Sequence, residues 1–424
     1  MALRAWRSGL PAARAGRFGA AAPLALAVLL AGGCQGGGPA AKGPVHSGAS
    51  ATPAATSGTT STAPPSPSVP KGPAHVTVSP ASTSAHIRPD TTVVVKVRSG
   101  TIASVRVADA AGGVVGGVVS GSGKVWLAGS LLKPHTAYRV TARAVGTNGV
   151  PVTKVAKFTT RTPTVNATYG LQPTGTVGVG MPVVVQFASP VSSSGRAEVE
   201  KHISLTMTPA QEGAWGWQDS SQLMWRPSSY WKAGTTVHVS AALQGVRTGS
   251  GKYVGRNQTS SFTVGDSMVS SVDIKTHTMT VERNGALVRT IPVSTGRPGA
   301  RTETRSGTKV IMTREPVHVM DSASVGIPKG APDYYHIVAK WAMRITWTGE
   351  FLHSAPWSVR SQGHVNVSHG CTNLSPSNAK WLYDHSRLGD VVEFTGSNRR
   401  FTASEGIGVW TYSYADWKSR SALA

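Results

Sequence analysis

The 424-residue chain is poor in cysteine: it has two, Cys34 and Cys371. A disulfide framework is therefore excluded, and each domain must be held by its own hydrophobic core. Acidic residues are scarce as well, 19 against 42 lysines and arginines, and none precedes Asp90, so the formal net charge is +23. Such a surface draws polyanions, including wall polymers and anionic headgroups. Yet the chain has no lysine/arginine run of five or more and no basic helix. Nucleic acid as a partner is thereby disfavoured. The N-terminal apolar stretch, Phe18 to Ala31, is only 14 residues long. That is too short for a comfortable transmembrane helix.

What is present begins at the N-terminus. Arg4, Arg7, Arg14 and Arg17 precede the apolar stretch and Gly32-Gly33-Cys34 follow it, the layout of an export signal over residues 1–34. The segment resembles bacterial lipoprotein signals, which implies lipidation of Cys34 as the mature N-terminus; ordinary cleavage and a retained anchor are the alternatives. The expected location is the outer face of the cell membrane, with the membrane contacted through that lipid. Residues 35–73 are nearly all Gly, Ala, Pro, Ser and Thr and have little to bury. They read as a disordered tether reaching into a surrounding wall.

From residue 74 the apolar period becomes two. Val76/Val78, Val93/Val95/Val97, Val105/Val107 and Tyr138/Val140/Ala142 alternate with polar residues, and a second set follows at Val183/Val185/Phe187 and Val237/Val239/Ala241. The segments Lys133–Ala142 and Lys232–Ala241 correspond at an offset of 99 residues. A repeat of about that length, built of short strands, predicts two immunoglobulin-like β-sandwiches, residues 74–163 and 164–266. Trp215, Trp217, Trp225 and Trp231 cluster in the second; aromatics at strand spacing read as core, with stacking on sugar rings as the alternative. Residues 267–397 continue as a mainly β region, with a hairpin at Asn284-Gly285 and one or two helices, the best at Pro376–Tyr383 behind Ser375. Residues 398–424 form a C-terminal extension expected to pack on it.

The chemistry is concentrated near Cys371. His353 opens His353-Ser354-Ala355-Pro356-Trp357, and 18 residues later comes the cysteine of Ser368-His369-Gly370-Cys371-Thr372-Asn373. A histidine that takes the thiol proton makes a nucleophile. Gly370 allows close backbone approach, so the turn Ser368-His369-Gly370 is a candidate oxyanion hole. Zinc on His364, His369 and Cys371 fits no familiar ligand spacing and would block the nucleophile. No metal and no cofactor is expected.

These motifs resemble the YkuD-type L,D-transpeptidase catalytic domain, and the whole plan resembles multidomain lipoproteins of that family. The resemblance implies acyl transfer on peptidoglycan stem peptides, donor and acceptor, for cell-wall biogenesis and cell shape. The bond before the terminal D-alanine of a tetrapeptide is cut, a cysteine thioester forms, and 3→3 crosslinks result. It assigns Cys371 as nucleophile, His353 as base and acid, and the Ser354 carbonyl as orienter of the imidazole. It places Tyr335, Thr348, Gly349 and Asn373 against the donor, with Val317 to Lys340 as a lid. Carbapenems are expected to acylate Cys371. His369 is read as structural within the turn, with a second proton carrier as the alternative. Trp357, Trp381, Trp410 and Trp417 are read as core or docking residues. Rival functions are an L,D-carboxypeptidase or endopeptidase using water as acceptor, and a wall-binding scaffold. The expected state is a monomer.

Overall fold

The computed structural model describes residues 71–424; the expected export signal, Cys34 and most of the expected tether lie outside the described residues. Period-two alternation in the first block resolves into two four-stranded sheets. In spatial order one holds His75–Ser79, Val94–Arg98, Val125–Ala128 and Gly117–Val119, and the other Val114–Val115, Gly100–Asp109, Ala137–Gly146 and Pro151–Thr159. Their inward residues, among them Val95, Val107, Trp126, Val140 and Phe158, form one core.

The second block repeats the plan. Tyr169–Gln172, Val183–Phe187, Gln222–Pro227 and Gly213–Trp217 make one sheet; Gly175–Val177, Gln258–Val264, Thr236–Ala241 and Ile203–Thr208 make another. The two segments matched by the internal repeat start strands at Ala137 and Thr236, equivalent positions. Trp217, Trp225 and Trp231 are buried, and Trp215 is half-buried. Three of the four tryptophans are thus core, which removes them as a sugar platform. One element was not anticipated, a helix at Ser193–Lys201. It carries the buried Glu200, whose carboxylate accepts the Trp217 indole N–H at 2.7 Å.

The third region has two sheets around its own core. A five-stranded sheet is ordered Ala286–Pro292, Thr278–Arg283, Met268–Asp273, Val391–Thr395 and Gly307–Val310. Asn284 and Gly285 both adopt positive φ, as the tight hairpin requires. The second sheet is ordered Thr313–Asp321, His336–Arg344, Phe351–Ser354 and Thr372–Leu374. Helix Pro376–His385 starts where Ser375 Oγ accepts the Asn378 N–H, and it buries Ala379 and Leu382 against Met279, Ile291, Leu352 and Leu374.

The C-terminal extension does more than pack on this region. Phe401 N–H bonds to the Ser306 carbonyl at 2.8 Å, but farther along the chain crosses to the second sandwich. There the Trp410 indole donates to the Gly180 carbonyl at 2.8 Å and the Trp417 indole to the Ala214 carbonyl at 3.0 Å. Arg226, from the sandwich, lies over the Trp410 ring and donates to the Tyr412 carbonyl. The expected packing on the catalytic region is present, and the extension also reaches the second sandwich, where its aromatic residues are matched by acceptors on the sandwich edge.

Candidate active site

Phe351–Ser354 runs parallel to Thr372–Leu374, with His353 opposite Asn373. Successive strand residues face opposite sides, and Leu352 and Leu374 point into the core. His353 and Asn373 consequently face the other way, as does Cys371, two residues before Asn373. Strand adjacency thus closes the gap of 18 residues seen in the sequence. All three line a cavity of about 190 Å³, together with Met320, Tyr335, Ile337, Trp357, Val367, Ser368 and His369.

The imidazole is oriented by the backbone. His353 Nδ1 lies 2.9 Å from the Ser354 carbonyl oxygen, so Nδ1 carries the proton and donates it, leaving Nε2 as the basic nitrogen. Burial lowers the His353 pKa to about 4, against a smaller opposing pull from that carbonyl. The Cys371 thiol, buried as well, is pushed up to about 12 by desolvation and donates to the Gly349 carbonyl at 3.5 Å. At neutral pH the resting pair is therefore neutral thiol and neutral imidazole. A standing thiolate, which the sequence motif alone invites, is not what this environment favours.

The turn before the sulfur is tightly bonded. Ser368 Oγ accepts the Gly370 N–H at 3.0 Å and donates to the Cys371 carbonyl at 2.6 Å, while Thr304 Oγ1 donates to the Gly370 carbonyl at 2.8 Å. Gly370 has φ +133°. These bonds correct one expectation: the Gly370 N–H already has an acceptor and is not aimed at an oxyanion. Tyr335 does face the cavity, and burial raises its phenol to about 12, keeping it a proton donor at neutral pH.

Other expected contacts divide. Asn373 lines the cavity, but its amide donates to Ser358 Oγ at 3.0 Å. Thr348 is not among the residues lining this cavity, and its hydroxyl donates to Thr346 Oγ1 at 3.0 Å within the same turn. Gly349 acts through its carbonyl and through the absence of a side chain: at φ +95°, a Cβ there would lie 2.8 Å from Val325 Cγ1, in the segment after strand Thr313–Asp321. His369 lies on the cavity wall, and its Nε2 sits 3.1 Å from Arg297 Nη1, an interaction within the rim.

Three features had escaped sequence reasoning. Trp357, read as core, is 56% exposed and lines the cavity with its ring 6.1 Å from that of His353. Its place in the motif directly after His353 was the available signal. A rim group joins Arg297 to His369 and to Asp333, which lies in the loop between strands Thr313–Asp321 and His336–Arg344. Below the site, Glu350 is buried between Arg305 Nη1 at 2.7 Å and Lys309 Nζ at 2.6 Å, and Arg305 Nε reaches Glu405 at 2.7 Å. Among the described residues no group of three or more His, Cys, Asp or Glu is arranged to hold a metal ion.

Residues 268–394 match the family described as L,D-transpeptidase catalytic domain (YkuD), and residues 84–247 match the bacterial Ig domain family, across parts of both sandwiches. Over 338 residues the chain is 36% identical to L,D-transpeptidase 2 of Mycobacterium tuberculosis, spanning 79% of this chain and 82% of that one. Over 356 residues it is 35% identical to L,D-transpeptidase 5 of the same species, spanning 82% and 77%. A solved structure of L,D-transpeptidase 3 from Mycobacterium tuberculosis, in complex with a faropenem-derived adduct, is 34% identical. That match covers 54% of this chain and 97% of the other, with a TM-score of 0.45. Two immunoglobulin-like sandwiches leading to a β-rich catalytic domain define a multidomain acyltransferase that acts on peptidoglycan stem peptides. The chain belongs to the L,D-transpeptidase family.

Proposed function

We propose that this enzyme forms 3→3 crosslinks through a thioester on Cys371. The observation that carries the reading is the parallel register setting His353 and Asn373 side by side, with Cys371 on the same cavity-facing side and the imidazole fixed by the Ser354 carbonyl. In the acylation step His353 Nε2 takes the thiol proton as sulfur bonds to the donor carbonyl carbon. The C–N bond to the terminal D-alanine then breaks, and the same nitrogen returns the proton to the leaving amine. A side-chain amine of a neighbouring stem next attacks the thioester: the new C–N bond forms, the C–S bond breaks, and His353 Nε2 carries the amine proton to the departing sulfur. Because the resting pair is neutral, proton removal accompanies attack, as a general-base step. The Tyr335 phenol and the Cys371 N–H are the donors proposed for the developing oxyanion.

The export signal, the lipidated Cys34 and the tether complete this reading: the enzyme is held at the outer face of the cell membrane and works in the wall, with the sandwiches as spacers. A carbapenem presents a strained acyl group to the same thiol and is expected to acylate it. The deciding measurement is intact-protein mass spectrometry with a defined tetrapeptide. Wild-type enzyme gains the mass of the tripeptide acyl group, Cys371→Ala gains nothing, and an added acceptor amine converts the adduct to crosslinked product. Persistent 3→3 product from Cys371→Ala refutes the proposal, while release of free tripeptide despite the acceptor identifies a hydrolase.

A further inference from the structure

The rim group of Arg297, His369 and Asp333 plays no part in the proton transfers above, although it is built into both the cysteine turn and the lid. Gly296 pairs with Ser368, and the Arg297 N–H bonds to the Ser368 carbonyl at 2.9 Å, which fixes the arginine backbone to the turn that presents Cys371. Its guanidinium has two partners. Nη1 lies 3.1 Å from His369 Nε2, and Nη2 donates to Asp333 Oδ1 at 2.6 Å. A guanidinium has only hydrogens to give, so His369 Nε2 is the acceptor and the ring proton sits on Nδ1. His369 thereby aims the guanidinium, and the same ring packs 5.0 Å from that of Tyr335 on the cavity wall.

The third member is a different kind of residue. Asp333 belongs to the lid loop between strands Thr313–Asp321 and His336–Arg344, and its side chain is 56% exposed. A carboxylate from the loop facing the cysteine turn thus occupies a cationic fork at the cavity edge, using one oxygen. Arginine forks suit carboxylates in particular, through paired N–H donors.

We propose that Arg297, aimed by His369, is a carboxylate-binding subsite for the donor stem, and that Asp333 fills it in the free enzyme until a substrate carboxylate takes its place. The inference rests on the transpeptidase reading, since that reading supplies a donor bearing carboxylates. The hydrogen bond from Arg297 lowers the Asp333 carboxyl pKa, consistent with a site that favours an anion. The exchange conserves charge, one carboxylate replacing another, and it links donor arrival to release of the lid from the rim. His369 is a positioning residue in this scheme.

The test is the concentration dependence of acyl-enzyme formation, followed by intact mass, with three synthetic tetrapeptides. One has all carboxylates free, one is amidated at the terminal carboxyl, and one is amidated at its internal carboxyls. Arg297→Gln is expected to raise the KM for the free donor about tenfold with a much smaller change in kcat, and Arg297→Lys to recover part of the loss. Asp333→Ala, which vacates the fork, is expected to lower that KM. The amidated donor that wild-type enzyme binds poorly, and that Arg297→Gln no longer distinguishes from the free one, identifies the carboxylate bound. If wild type is acylated but Arg297→Gln keeps the same KM for all three donors, the subsite is refuted and the transpeptidase reading stands. If no tetrapeptide acylates wild type, both fall.

Discussion

At the level of single residues, the site is set by burial acting in opposite senses on two groups. Desolvation disfavours the charged form of each, so the thiol is pushed to about 12 and the imidazole down to about 4. Only the thiolate is nucleophilic toward a small alkylating agent. Alkylation of Cys371 by iodoacetamide in the free enzyme should therefore be slow at pH 7 and climb about tenfold per pH unit through pH 10. A plateau below pH 9 would reveal a stabilised thiolate. The acid limb of kcat/KM, which reports the free enzyme, should have its midpoint near 4 instead of near 6.5. Folding carries the same signature: the unfolded chain takes up a proton at His353 below about 6.5 and the folded chain does not until about 4, so stability falls as pH drops through that window. The two neighbours of the pair should differ on mutation. Ser354 serves through its carbonyl, so Ser354→Ala should leave kcat/KM within about threefold of wild type. Gly349→Ala should lose far more, because its φ of +95° imposes backbone strain of about 1 kcal/mol or more and the new methyl meets Val325.

At the level of elements, the turn from Thr346 to Glu350 is the piece that presents the Gly349 carbonyl to sulfur, and it is held from behind by charge. Glu350 is 2% exposed and Lys309 fully buried, with its ammonium 3.9 Å from the centre of the Phe394 ring. Burial lowers the Lys309 pKa while Glu350 opposes that shift, the pattern of a cation that depends on its partner. Glu350→Gln would leave Lys309 and Arg305 without their shared carboxylate. A loss of about 3–5 kcal/mol in unfolding free energy is expected, read from a denaturant midpoint. Glu405, at the outer end of the cluster and 19% exposed at its side chain, should matter less. This cluster was not legible in the sequence. Arg305 and Lys309 lie 45 and 41 residues from Glu350, and isolated charges in a chain of this composition look like surface. The strands, the Asn284-Gly285 hairpin and the helix after Ser375 were legible because their signals are local: alternation, a turn pair, a cap. Cys371 and His353 were legible because their neighbours carry the pattern with them. Trp357 was misplaced for want of the backbone path, which turns it outward into the cavity.

At the level of the whole molecule, the second sandwich and the catalytic domain meet backbone to backbone. Gly178 and Gly180 donate to the Leu388 and Gly389 carbonyls at 2.7 and 2.8 Å, and a Cβ on Gly178 would lie 2.2 Å from Asp390. The approach is closed from the far side by the C-terminal extension, through Trp410 and the fully buried Trp417. Truncating that indole, Trp417→Ala, should cost about 3–5 kcal/mol and loosen the junction, seen as faster hydrogen exchange in Gly213–Trp217. Asp390 is the weak point of the interface. Its Oδ2 accepts the Arg387 N–H at 2.6 Å, but Oδ1 is buried without a hydrogen-bond partner. Desolvation raises its pKa from 3.8 to about 7. The folded state then holds a proton that the unfolded state has released, so the stabilising contribution present below pH 3.8 is lost as pH rises toward 7. Asp390→Asn keeps an acceptor for the Arg387 N–H and removes the charge. Its melting temperature relative to wild type should be raised by a few degrees at pH 8 and converge with wild type by pH 4. Taking the difference between the two proteins cancels the opposing acid effect of His353, which both retain. A difference that stays constant from pH 4 to 8 would mean that Asp390 is ionised in the folded protein throughout, and that the close approach of Gly178 is tolerated by the carboxylate itself.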